Sequence, residues 1–301
     1  MKRCMLAGVS VLVALVLSHP ATLLSQAIER SMYVSVVDQT GAPVLNLGPA
    51  DFIVREDNLS REVLRVVPAT DPMQVAILVD NSTAAAPQVP HIRRALPAFV
   101  EILTRPTASG RRNEVAIMTL GSRPTILADY SIDPAPLTNA IGRVWEDSNS
   151  GSYLLDGIME VSQGFKKRES ARPVIVAITG EGEELSNRHP EQVLAPLRDS
   201  GAAMHVISIG GPAAAVSDEV RNRLTVVDEG TRASGGRHTQ LLAGSALPAR
   251  LQQLADVLTH SYRVFYAHPD SLIPPERVTV AARRADLTAF GTPDKDQQAR
   301  R

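Results

Sequence analysis

The distribution of hydrophobic positions divides the chain into a central α/β region and two flanking β regions. Between residues 73 and 260, apolar runs of strand length alternate with stretches of helical period. This alternation is typical of a parallel sheet covered by helices on both faces. We therefore predict a doubly wound, mostly parallel α/β domain. Its predicted strands are 75–80, 114–120, 125–130, 173–179 and 203–209, and its predicted helices are 91–103, 134–145, 153–167, 189–200 and 245–260. Residues 228–229 and 232–237 are predicted to form an exposed loop before a short strand.

Short runs of alternating apolar and polar residues lie on both sides of this region. Residues 32–37, 51–57 and 62–67 precede it, and residues 262–266 and 277–283 follow it. Such alternation predicts strands with one buried face. A segment of about 35 residues is too short to form a stable sheet by itself. We therefore expect the two flanks to pair with each other in one small β module.

The ends of the chain differ from the rest. Residues 1–27 have a basic start and an apolar run, and they end in Ser25-Gln26-Ala27, which is typical of a signal peptide cleaved before Ile28. The alternative is an uncleaved leader, which would be the protein's only contact with a membrane. The predicted organisation is a leader (1–27), an N-terminal β segment (28–72), a central domain (73–260), a C-terminal β segment (261–290) and a disordered tail (291–301).

Composition narrows the possible functions. The chain has 301 residues, of which 44% are hydrophobic and 21% charged, as in ordinary globular proteins. Its formal net charge of -1 lacks the basic excess that nucleic-acid binding requires. Cys4 is the single cysteine and lies in the leader, so a mature chain has no disulfide and no cysteine-based site. We expect an exported protein, periplasmic or secreted, with no nucleic-acid partner.

Polar residues follow two of the predicted central strands. Asp80 ends the first strand, and the loop 179–184 follows a later one. The carboxyl ends of parallel strands meet at one edge of a sheet, where binding sites form. We call the loops at this edge the rim, and we expect Asp80 and the 179–184 loop to lie there together.

Two rim motifs resemble the von Willebrand factor type A domain. Residues 80–84, Asp-Asn-Ser-Thr-Ala, are similar to its Asp-x-Ser-x-Ser element. Residues 149–156, Asn-Ser-Gly-Ser-Tyr-Leu-Leu-Asp, are similar to its Gly-Gly-Thr-x-Leu-x-Asp loop. The flanking strands resemble those of bacterial exported proteins related to this family, so the resemblance covers residues 32–290. It implies a Rossmann-like fold and a role in protein binding or adhesion.

The resemblance also implies a metal-ion-dependent adhesion site, but with two ligand positions changed. Asp80 and Ser82 match the family's ligands, and Ser152 replaces a threonine with the same ligand atom. Ala84 lacks the second hydroxyl of the first loop, and Gly180 stands where the family has an aspartate. Because Mg²⁺ requires octahedral oxygen coordination with carboxylates, at most weak Mg²⁺ binding is expected.

Two roles for these residues remain open from the sequence. Glu181 or Glu183 could replace the missing aspartate, since both lie on a glycine-rich loop. In the alternative without metal, Asp80 caps local backbone amides and Ser152 caps the helix that starts at Tyr153.

Other chemistries have less support. Ser82, His238 and Asp156 are candidates for a hydrolase triad, but the chain has no Gly-x-Ser-x-Gly motif. Gly180-x-Gly182 resembles part of a dinucleotide-binding loop, but the third glycine is missing and neighbouring glutamates would repel a pyrophosphate. The histidines do not show the spacing of a zinc site.

Two functional hypotheses follow. In the first, the chain is a non-enzymatic exported module whose rim binds a protein partner. In the second, it is an exported, hydrolase-like enzyme that uses rim carboxylates. The second hypothesis predicts a raised pKa for Asp80, Glu181 or Glu183 in a closed pocket. An open platform would favour the first.

Overall fold

The computed structural model describes residues 28–211, 217–269, 275 and 277–293. The predicted signal peptide, residues 1–27, lies outside the described residues. Among the helices of the described ranges, none combines the length and the apolar character needed to cross a bilayer.

The secondary-structure elements follow the predicted order closely. The α-helices of the described ranges are α1 (Val89–Leu103), α2 (Pro134–Gly142), α3 (Leu154–Lys167), α4 (Pro190–Ser200), α5 (Asp218–Ala233) and α6 (Leu247–Thr259). The strands are β1 (Ile28–Val37), β2 (Phe52–Glu56), β3 (Leu59–Arg61), β4 (Val63–Pro68), β5 (Gln74–Val79), β6 (Glu114–Thr119), β7 (Thr125–Ser131), β8 (Pro173–Gly180), β9 (Ala203–Ile209), β10 (His238–Leu241), β11 (Tyr262–His268), β12 (Val278–Ala282) and β13 (Thr288–Pro293).

The central sheet has the strand order β10-β9-β8-β5-β6-β7. Its neighbouring strands are parallel except for β7, which is antiparallel to β6. Successive side chains of β5 enter opposite cores: Ile77 and Val79 pack with α1, α2 and α6, whereas Ala76 and Leu78 pack with α3, α4 and α5. The predicted doubly wound, mostly parallel sheet is confirmed.

The flanking segments form two antiparallel sheets. One has the order β13-β1-β11-β4 and the other β12-β2-β3. β1 pairs along its length with β11, so the N-terminal segment pairs directly with the C-terminal one. Met32, Val34 and Val264 from the first sheet share a core with Phe52 and Val54 from the second. This confirms the small β module built from both ends.

The structure corrects the sequence prediction for residues 228–233. They belong to helix α5 instead of an exposed loop, and only residues 234–237 connect that helix to β10. The hydroxyl of Ser217 caps the helix by accepting from the amide of Val220. Val226 and Val227 are buried among many charged neighbours, and this sparse apolar stripe made the helix hard to predict.

The structure also contains a C-terminal strand, β13, that the sequence did not predict. β13 includes residues 291–293, which the sequence analysis assigned to the polar tail. Thr292 is buried there against the central domain, where its hydroxyl donates to the carbonyl of Ser234. Residues 294–301 of the predicted tail lie outside the described residues.

Candidate functional site

Asp80 connects two loops of the rim. It directly follows β5 and is completely buried. Its Oδ1 accepts a hydrogen bond from the amide of Ser82 at 2.9 Å. Its Oδ2 accepts from the Thr179 hydroxyl at 3.0 Å and from the Gly180 amide at 3.2 Å. Asp80 therefore has the backbone-capping role that the sequence allowed, and it ties the β5 loop to the end of β8.

Ser82 and Ser152 are both fully buried at the rim. Within the described part of the chain, neither hydroxyl has a hydrogen-bond partner. The backbone of Ser152 is nevertheless fixed, because its amide donates to the carbonyl of Glu183 at 2.8 Å. Helix α3 begins beyond Ser152 without a side-chain cap from Tyr153. The capping role proposed for the Ser152 hydroxyl is therefore not seen.

The two glutamates proposed as replacement ligands have other surroundings. Glu181 accepts a hydrogen bond from the side chain of Gln240 at 3.0 Å, and its second oxygen lies 4.0 Å from the guanidinium of Arg223. Arg223 is buried and also donates to the carbonyl of Gly182 at 2.8 Å. Glu183 is exposed. Glu181 is therefore directed towards β10, and Glu183 faces solvent.

The β8 loop also covers the position of the missing hydroxyl. A Cβ added to Gly182 would lie 2.5 Å from Cβ of Ala84 and 3.8 Å from Oγ of Ser82. The rim thus supplies the hydroxyls of Ser82 and Ser152 and the buried carboxylate of Asp80, whose oxygens already accept three hydrogen bonds. Within the described ranges, no group of three or more His, Cys, Asp or Glu residues is placed to hold a metal ion. The residues present do not fit the octahedral Mg²⁺ site that the resemblance implied.

Asn81 connects the β5 loop to an exposed tryptophan. Its Nδ2 donates to the carbonyl of Trp145 at 2.8 Å, and its Oδ1 accepts from the amide of Gly121 at 2.8 Å. The Trp145 residue is 62% exposed, and the guanidinium of Arg93 lies 4.1 Å from its ring centroid. The sequence placed Trp145 at the end of a helix. Because α2 ends at Gly142, Trp145 belongs to the rim.

Two exposed leucines accompany Trp145 on the rim. Leu185 is 43% exposed and packs on Gly151, where an added Cβ would lie 2.6 Å from its Cγ. Leu242 directly follows β10 and is 90% exposed. We call Trp145, Leu185 and Leu242 the apolar rim residues. The sequence analysis missed all three, because hydrophobic residues next to helices and strands are usually buried.

Comparison with known proteins identifies the central domain. Residues 75–183 match the family described as von Willebrand factor type A domain. The chain contains a von Willebrand factor type A-like domain. A von Willebrand factor type A structure from Catenulispora acidiphila shares 11% identity and has a TM-score of 0.50, with 89% of this chain and 72% of that chain covered.

Other solved structures with von Willebrand factor A-like folds are similar over a smaller part of the chain. Proximal thread matrix protein 1 from the mussel byssus shares 16% identity with a TM-score of 0.49, covering 68% of this chain and 50% of that chain. The present chain thus spans about half the length of the mussel protein. A further structure of that protein has a zinc-occupied metal-ion-dependent adhesion motif. A search of curated protein sequences gives no match.

The von Willebrand factor A-like domain does not assemble the proposed hydrolase triad. Nε2 of His238 lies 2.9 Å from the Ser208 hydroxyl. Asp156 accepts a hydrogen bond from Nε of Arg188 at 2.6 Å. Because His238 and Asp156 engage other residues, neither activates Ser82.

Glu184 is the titratable residue of the von Willebrand factor A-like rim that the sequence analysis overlooked. It is buried opposite Ser152, with which it forms an isolated β-bridge. Its Oε1 accepts from the amide of Ser186 at 3.1 Å. Burial raises the pKa of Glu184 to about 7. Glu184 lies in the same short segment as Glu181 and Glu183, and only the three-dimensional structure shows that it is the buried one.

Proposed function

We propose that this chain is an exported, non-enzymatic protein-binding module that contacts its partner through the rim without a bound metal ion. The observation that carries the proposal is Trp145, which is exposed and yet held in place. Asn81 holds its backbone carbonyl, and Arg93 lies over its ring. Tryptophan is enriched among the residues that dominate protein–protein binding energies.

The fixed position of Trp145 favours binding energetically. Ordering a mobile side chain on association costs free energy, and a side chain that is already positioned avoids part of that cost. Leu185 and Leu242 add exposed apolar surface on the same edge of the sheet. The apolar rim residues therefore provide one aromatic anchor and further exposed apolar side chains at the same end of the sheet.

The hydrogen bonds of Asp80 explain how the rim works without a cation. A buried carboxylate is costly unless donors or cations compensate its charge. Here the amides of Ser82 and Gly180 and the hydroxyl of Thr179 provide three donors. We infer that these donors replace the metal ion in stabilising the carboxylate, so partner binding does not require Mg²⁺.

The enzymatic alternative has less structural support. The rim carboxyl group whose pKa is raised to about 7 is Glu184, which is buried beside Ser152 and Ser186. The cavities described along α6 and at the opposite end of the sheet are not lined by Glu184 or by Asp80. A general acid at Glu184 would therefore need a rearrangement of the rim before it could contact substrate.

The proposal includes export of the protein, which is supported by the sequence of its first 27 residues. The leader pattern of residues 1–27 is typical of secretion, and the remaining chain has no cysteine whose oxidation state would depend on the compartment. We propose a periplasmic or secreted location.

The proposal is tested by comparing capture of partner proteins by three forms of the purified protein. The forms are the wild type, Trp145→Ala and Leu64→Ala, where Leu64 is a 43% exposed residue of β4 in the β module. We expect Trp145→Ala to lose a protein that the wild type and Leu64→Ala both retain. Capture should be equal in Mg²⁺ and in EDTA, and cross-links should map to the loop that contains Trp145. Identical capture by all three forms would contradict the rim as the binding surface.

A further inference from the structure

A small cavity lies between the central domain and the β module, at the end of the sheet opposite the rim. Its volume is about 30 Å³. Arg172 and His205 line it from the central domain, and Tyr33, Phe290 and Thr292 line it from β1 and β13. A space of this size accommodates about one water molecule. Whatever occupies it contacts both parts of the protein.

Arg172 brings to this cavity a buried positive charge that lacks a direct ion pair. The ring of Tyr33 lies 5.0 Å from its guanidinium, and the charge of Asp71 acts on it from a longer distance. Arg172 is only 8% exposed. Its guanidinium donates to the carbonyls of Asp71 and Leu258, at 3.2 and 3.0 Å, and to the hydroxyl of Ser261. All three acceptors are uncharged groups, and none of the ion pairs found in the described residues includes Arg172. Since a guanidinium has five N–H donors, two remain available.

The nearest carboxylate is engaged elsewhere. The side chain of Asp71 accepts from the hydroxyl of Tyr33 at 2.9 Å and pairs with Arg111 at 3.5 Å and Arg263 at 3.4 Å. The carboxylate of Asp71 thus pairs directly with two other guanidinium groups, and its direct hydrogen bond with Arg172 is through the backbone carbonyl. Burying a charge without a counter-charge is unfavourable, and burial lowers the pKa of Arg172 to about 10.

His205 supplies a second free donor at the same cavity. It is 3% exposed, and its ring has no hydrogen-bond partner among the described residues. The ring meets the ring of Phe290 edge-on, with centroids 6.5 Å apart. Burial and the charge of Arg237 lower the pKa of His205 to about 4, so at neutral pH its imidazole is uncharged and carries one N–H.

We propose that this cavity binds a single halide ion, chloride in an exported setting. Arg172 supplies the opposite charge and two N–H donors, His205 supplies another N–H donor, and the ring of Phe290 lines the site. The small volume favours a single halide over larger anions such as sulfate and phosphate. Because the lining residues come from both parts of the protein, the ion stabilises the docking of the β module on the central domain. This site is independent of the rim and of the function proposed for it.

The first experiment measures chemical unfolding of the purified protein in sodium chloride and in sodium gluconate at equal ionic strength. Above the dissociation constant, a tenfold rise in chloride should lower the unfolding equilibrium constant about tenfold, whereas gluconate should not. Arg172→Gln should abolish the difference between the two salts. The control Arg105→Gln changes a surface arginine that pairs with Glu101, and it should retain the full chloride effect.

A second experiment does not depend on a variant that folds. Crystals of the wild type soaked in bromide should show an anomalous peak in the cavity, within contact distance of Arg172 and His205. Equal stability in chloride and gluconate, or a cavity that contains only water after the bromide soak, would overturn the proposal. If Arg172→Gln does not fold, the wild-type salt comparison and the bromide peak decide the question.

Discussion

The two ends of the central sheet differ in the hydrogen bonding of their polar groups and in the burial of their aromatic rings. At the rim, the hydroxyls of Ser82 and Ser152 are buried without a partner among the residues that the structure describes, and Trp145 is exposed. At the opposite end, the single carboxylate of Asp71 accepts a hydrogen bond from Tyr33 and pairs with Arg111 and Arg263. The rings of Tyr33 and Phe290 pack there against the central domain. One end of the sheet is thus built for internal assembly, and the other leaves surface available for a partner.

Disrupting the contact between β13 and the central domain should have the largest effect on stability. Gly235 has a φ of +73°, and a Cβ there would lie 2.1 Å from the carbonyl oxygen of Gly291 in β13. Gly235→Ala should therefore displace β13 and lower the free energy of unfolding by roughly 3 kcal/mol. Chemical denaturation measures the loss.

The control for Gly235→Ala is Gly164→Ala. Gly164 lies in α3, and a Cβ added there meets no atom within 4 Å. This variant should be neutral or slightly more stable, because alanine favours a helix over glycine. A Gly235→Ala protein as stable as the control would show that β13 is not docked tightly on the central domain.

The burial of Glu184 at the rim can be tested by measuring how the free energy of unfolding depends on pH. Its pKa is raised from 4.5 to about 7 by burial, so the folded state favours the protonated form. The stabilisation from proton binding is complete below pH 4.5, and it is lost as the pH rises towards 7 and above. The loss should be of the order of 2–3 kcal/mol.

Glu184→Gln replaces the titrating group by an uncharged one of similar shape. The stability of this variant should therefore fall less than that of the wild type between pH 4.5 and 7.5. Glu183→Gln is the matched control, because Glu183 is the exposed neighbour on the same loop. Parallel pH profiles for wild type and Glu184→Gln would show that Glu184 is not buried as described.

The sequence was sufficient for the architecture because the architecture depends on local periodicity. The alternation of buried strands and amphipathic helices predicted the central sheet, and the carboxyl-end rule placed Asp80 beside the 179–184 loop. The direction of the glutamate side chains could not be predicted in this way. Glu181 is oriented by Gln240 and approached by Arg223, which lie 59 and 42 positions away. No local pattern encodes such contacts.

Helix α5 and Trp145 were missed for related reasons. The charged sequence of α5 hides a stripe of only a few buried valines. Trp145 was predicted to end a helix, but α2 ends at Gly142 and Trp145 lies in the loop that follows. In both cases tertiary packing, which the local sequence pattern does not reveal, decides the structure. The second error hid the exposure of Trp145 at the rim.

Restoring the two lost ligands tests whether the rim can still bind a metal ion. Ala84→Ser with Gly180→Asp returns the second hydroxyl and the second carboxylate of the family pattern. The Gly180 position tolerates a side chain, since a Cβ there would lie 3.4 Å from the nearest atoms, Cα and Cβ of Ala85. The Ala84 position is tighter, because Gly182 packs against it, so the β8 loop must shift slightly to admit the new hydroxyl.

We expect the double variant to bind Mg²⁺ with a dissociation constant of about 1 mM, which at 10 mM Mg²⁺ stabilises the fold by about 1.4 kcal/mol. Calorimetry of the wild type, the double variant and the double variant with Asp80→Ala measures the gain and locates it. Binding by the wild type that disappears in Asp80→Ala would mean that the native rim, with its Asp80 carboxylate, suffices, and that the donors around Asp80 yield to a cation. No binding by the double variant would mean that the β8 loop, held by Arg223 through the carbonyl of Gly182, keeps the rim closed even when the ligands are present. In that case the loop position, as well as the residue types, separates this rim from a metal-binding one.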